Sequence, residues 1–98
     1  MDDTSPKVRE RRSARLKTNR FLTWRTCDDR RLRVAGLTEQ SMNGLALVTS
    51  APDAPAPGAI IVPASDAMCK RYGFKKARVR ETTFVPDGTA IIYAAILS

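Results

Sequence analysis

The sequence predicts a small all-β domain, a barrel or sandwich of about six short strands. Three observations carry that prediction. Apolar and polar residues alternate with a period of two in several short stretches. Turn-forming clusters such as Thr26-Cys27-Asp28-Asp29 and Pro86-Asp87-Gly88 separate those stretches. Long helical patterns do not alternate with the strands, and no internal repeat is visible, so a parallel α/β architecture is not indicated. The chain has 98 residues, 43% hydrophobic and 28% charged, which allows one folded domain with a modest core.

The elements follow in chain order. Residues 1–10 are charged and small and predict a flexible tail, which leaves 11–98 as the single domain. Leu16, Leu22 and Trp24 share one parity, while Lys17, Asn19, Thr23 and Arg25 share the other, as in a half-buried strand. Phe21 is the exception to that pattern. After the turn at 26–29, Arg31-Leu32-Arg33-Val34 alternates again and predicts a hairpin, with Gly36 as a candidate bulge. Gly44 to Val48 is continuously apolar and predicts a strand buried on both sides. Ala51 to Gly58 holds three prolines and reads as a stiff, exposed loop. Ala59 to Val62 is a short strand stopped by Pro63. Ser65 to Tyr72 predicts one or two helical turns with Ser65 or Asp66 as N-cap. Lys76 to Arg80 alternates with its basic residues outward, and Ala90 to Leu97 is the last strand. Closure into a barrel would remove the edges that such apolar strands otherwise present.

Net charge is +7, and its distribution is uneven. Residues 1–33 hold 11 Lys/Arg and 5 Asp/Glu, whereas residues 34–98 hold 6 and 5. The basic character therefore reads as a property of an N-terminal arm that suits an anionic partner. Histidine is absent, and Cys27 and Cys69 lie far apart. A zinc site is not indicated, no metal is expected, and the thiols are expected to be unpaired. No apolar run reaches the ~20 residues of a membrane span, so no membrane insertion is expected. The polar start Met1 to Pro6 is unlike a signal peptide, and a cytoplasmic location is expected. No nucleophile has an evident base, and Ser41 beside Glu39 lacks an oxyanion-hole signature, so the chain is not expected to be an enzyme.

Two clusters carry chemistry. Arg11 and Arg15 are four residues apart, with Arg12 between them. A guanidinium grips a phosphate or the O6/N7 edge of a guanine in a fork, and it stacks on bases. Glu39, Ser41 and Gly44 fall within one turn before an apolar strand. A carboxylate accepts from the N1–H and N2–H₂ donors of guanine, a serine hydroxyl donates or accepts, and glycine permits a positive φ or a close approach. On a strand, Glu39 and Ser41 would share a face.

Arg11-x-x-x-Arg15, followed by Glu39-x-Ser41-x-x-Gly44 and then Leu45-Ala46-Leu47, resembles the signature of the PilZ domain family, bacterial receptors for cyclic di-GMP. Lys76-Ala77-Arg78-Val79 also looks like a strand of that family, and the resemblance covers residues 9–97. It implies a six-stranded antiparallel split barrel with a flexible basic arm that folds over the ligand. By position, Arg11 and Arg15 would hold phosphates and guanine edges with help from Arg12, Glu39 and Ser41 would contact a guanine, and Gly44 would shape the turn. Glu39 departs from the family's Asp or Asn by one methylene, and the residues up to Ser98 show no counterpart of the C-terminal helix that many relatives carry.

The function so implied is a non-enzymatic cyclic di-GMP receptor in a bacterial cytoplasm, whose arm orders on binding and signals to a downstream protein partner. Two alternatives stand beside it. One is a degenerate PilZ-like interaction module without ligand. The other is a small basic barrel binding nucleic acid, with Trp24, Phe21, Tyr72 and Phe74 as stacking platforms. Charge concentrated in one arm disfavours nucleic acid as the partner.

Overall fold

The fold is that of a computed structural model, which describes residues 20–97. The predicted tail at 1–10 and the arginines Arg11, Arg12 and Arg15 lie outside the described residues. Six strands and one short helix follow in order: β1 (Phe21–Thr26), β2 (Asp29–Gln40), β3 (Gly44–Ser50), β4 (Ile60–Pro63), α1 (Asp66–Tyr72), β5 (Lys76–Phe84) and β6 (Thr89–Leu97). They close into one antiparallel barrel in the order β1-β2-β3-β6-β5-β4, with β4 returning to β1. The barrel prediction holds, and the sandwich is excluded.

Alternation sets which residues fill the barrel. Leu22 and Trp24 of β1 are fully buried, as are Leu47, Ile61, Ala77 and Ile92 from four other strands. Phe21 obeys the alternation: it takes the outward parity and is 55% exposed. The run Leu45–Thr49 is buried throughout, as its unbroken apolar character predicts. Gly36 is not a bulge, because it is in register with Phe21 on one side and Val48 on the other. The register breaks fall instead between Leu37 and Glu39 on β2, between Trp24 and Thr26 on β1, and between Val79 and Glu81 on β5.

Helix α1 packs beside β4 and brings Tyr72 into the core. Its N-cap is Ser65, whose hydroxyl accepts from the Met68 N–H at 3.2 Å. It stops at Gly73, which takes the left-handed conformation (φ 75°) and donates to the Cys69 carbonyl. The buried Tyr72 donates its hydroxyl to the Phe21 carbonyl at 2.8 Å, tying the helix to β1. The proline-rich segment is less exposed than predicted. It opens with a 3-10 turn at Ala51–Asp53, and Pro55 is buried, its carbonyl accepting from the Thr82 hydroxyl at 2.9 Å. Cys27 is exposed, Cys69 is half-buried, and both are free thiols, as expected. Among the described residues no helix is long and apolar enough to cross a membrane.

Candidate functional site

The turn between β2 and β3 opens onto a groove of about 640 Å³ on the outside of the barrel. Its construction follows from side-chain size. Across the sheet, Glu39 is in register with Ala46, Ala46 with Tyr93, and Gly44 with Ala95. These residues take the outward parity, since their neighbours Leu45, Leu47 and Ala94 belong to the core. Gly44, Ala46 and Ala95 therefore form a floor of minimal side chains. Glu39 and Gln40 rise on one side of it, and Tyr93 and Arg80 on the other.

Backbone irregularities aim two of these residues. The break in register between Leu37 and Glu39 turns the end of β2, and the break between Val79 and Glu81 leaves Arg80 unpaired on β5. Both Glu39 and Arg80 are exposed, and neither forms an ion pair among the described residues. The site thus presents a carboxylate and a guanidinium available to a ligand, with a phenol ring that is 43% exposed.

Ser41 holds the turn. Its backbone N–H donates to the Gly44 carbonyl at 2.8 Å, and its hydroxyl accepts from the N–H groups of Gly44 at 3.2 Å and Asn43 at 3.4 Å. Ser41 follows the end of β2, so the shared strand face expected for Glu39 and Ser41 is replaced by a strand end and a turn on one groove. Gly44 has no positive φ. A Cβ there would lie 3.2 Å from the Ala94 carbonyl oxygen, a tight contact that glycine avoids where β3 meets β6.

Gln40 links the groove to its surroundings. Its Oε1 accepts from the Arg20 guanidinium at 3.1 Å, and its Nε2 donates to the Tyr72 carbonyl at the end of α1. Arg20 also lies over the Tyr72 ring, 5.5 Å from its centroid. The chain entering the barrel, the site turn and the helix are tied through this one amide.

Of the six residues singled out in the sequence, Glu39, Ser41 and Gly44 meet in the groove, while Arg11, Arg12 and Arg15 lie outside the described residues. Arg80 and Tyr93 were missed. Arg80 read as one of several outward cations, and Tyr93 as part of an apolar strand. The available signal was the outward parity of Tyr93 next to the small Ala95. The stacking set proposed for nucleic acid does not form: Trp24, Tyr72 and Phe74 are buried, leaving Phe21 alone exposed on β1. No family model matches the chain, and neither does any curated protein or solved structure.

Proposed function

We propose that this chain is a non-enzymatic receptor for cyclic di-GMP, of the PilZ type that its motifs resemble. The observation that supports the reading is the groove itself, where Glu39, Ser41 and Gly44 converge with Arg80 and Tyr93 over a floor of small residues. The groove volume lies within the range of small-molecule sites. In this reading Glu39 accepts the N1–H and N2–H₂ of a guanine, and the Tyr93 ring packs against a base. Arg80 takes a phosphate, and Ser41 and Gly44 hold the turn in shape. Arg11, Arg12 and Arg15 close over the ligand and clamp its phosphates, and a downstream protein reads the ordered arm.

Isothermal titration calorimetry of the full chain with cyclic di-GMP, beside GTP, tests this. Saturable binding of the dinucleotide alone is expected. Glu39→Ala removes charge-assisted hydrogen bonds worth ~1.5–3 kcal/mol, so affinity should fall roughly 10- to 150-fold. Ala46→Trp fills the groove floor from outside the barrel and should abolish binding, and Arg15→Ala should do so with the far-UV spectrum unchanged. If the folded wild type gives no heat, the receptor reading fails. If Ala46→Trp binds as well as wild type, the groove is the wrong site.

A further inference from the structure

The division of charge at residue 33 hides a second basic region. Lys70, Arg71, Lys75, Lys76, Arg78 and Arg80 are all of the Lys and Arg residues beyond position 33, and residues 67–80 contain no acid. The low net charge of residues 34–98 arises because the acids lie elsewhere. All six cations are exposed. None has a carboxylate partner among the described residues, whereas Arg31 pairs with Asp53 at 3.0 Å and Arg33 with Asp29 at 2.9 Å. The Arg31 hydrogen bond holds the Asp53 carboxyl below its ordinary pKa.

The fold arranges three of the six as a track. Lys76 and Arg78 alternate with the buried Ala77 and Val79, so they stand on the outer face of β5. Arg80 follows at the bulge, facing the groove. Alternate residues on a strand are ~6.8 Å apart, so these three cations form a row about 13 Å long. Lys75 precedes the track in sequence, and Lys70 and Arg71 lie in the last turn of α1, where Arg71 sits over the Tyr72 ring, 5.8 Å from its centroid. At the other end Tyr93 lines the groove with Arg80 and is in register with the exposed Glu81, which closes the track with a carboxylate.

We propose that this track, which shares Arg80 and Tyr93 with the groove, binds the backbone of a single-stranded nucleic acid. A row of unpaired cations at strand pitch suits successive phosphates of an extended chain. Tyr93 offers its ring to one unpaired base at the end of the row. Tyr72 and Phe74, the aromatics within residues 67–80, are buried, so no further base is stacked along it and binding is insensitive to sequence.

The test is binding of a labelled oligothymidylate to the full chain between about 50 and 200 mM salt, where log K falls with log salt by about 0.7 per phosphate contact. Wild type should bind with a clear slope, and oligothymidylate and a mixed-sequence strand should bind alike. The pair Lys76→Gln and Arg78→Gln should lower the slope by about 1.4, two contacts at 0.7 each. The pair Arg30→Gln and Arg31→Gln removes as much charge off the track and should leave the slope unchanged. The proposal is overturned if no strand binds at low salt, or if both pairs act equally. It is also overturned if a charge-matched acidic peptide or anionic vesicles depend on Lys76 and Arg78 while the oligothymidylate does not. Cyclic di-GMP is absent throughout, so failure here leaves the receptor reading intact.

Discussion

Gly44 sits where two demands meet. It starts β3 against β6, and it contributes to the groove floor. The Ala94 carbonyl oxygen that a Cβ would crowd at 3.2 Å belongs to a paired strand and has little room to move. Gly44→Ala should therefore destabilise the protein by about 1 kcal/mol, at the low end of overpacking costs. Urea unfolding followed by the emission of Trp24, the only tryptophan and fully buried, gives the measurement. A variant as stable as wild type would mean that the strands part freely at this point. Ser41 is the complementary case. Its hydroxyl is engaged with two backbone N–H groups of its own turn, so it acts on a ligand through the shape it maintains.

At the scale of elements, α1 is short, and its ends matter accordingly. The Ser65 hydroxyl satisfies one of the otherwise free N–H groups, and Ser65→Ala should cost about 1 kcal/mol in urea unfolding. An unchanged midpoint would show that packing of Tyr72 alone secures the helix. This element was legible in the sequence because capping is local: Ser65 opens it, whereas its stop at Gly73 was not read. The parity of Leu22 and Trp24 and the turn at Pro86-Asp87-Gly88 were legible for the same reason. The bulges were not, since a bulge is a mismatch between two strands. Gly36 looked like one, yet both of its partners stay in register. Half of the groove was hidden likewise: Tyr93 shares a groove with Glu39 only because β6 pairs with β3, a pairing that local patterning does not encode.

For the molecule as a whole, the ring of strands is unevenly sewn. Gly44–Ser50 pairs with Thr89–Ala95 residue for residue, whereas the ladder partners of β4 are Trp24 to Thr26 on one side and Ala77 and Arg78 on the other, with flanking backbone hydrogen bonds to Thr23, Cys27 and Val79. Short pairings open first. Amide hydrogen exchange should be faster at Ile60–Val62 than at Leu45–Val48, and equal rates would mean that the ring opens only by global unfolding. The groove lies over β2, β3 and β6 with Arg80 of β5, around the long β3–β6 pairing. Faster exchange in β4 would separate two time regimes in one small barrel: the strand next to the helix would breathe while the wall that would carry a ligand keeps its shape through each opening.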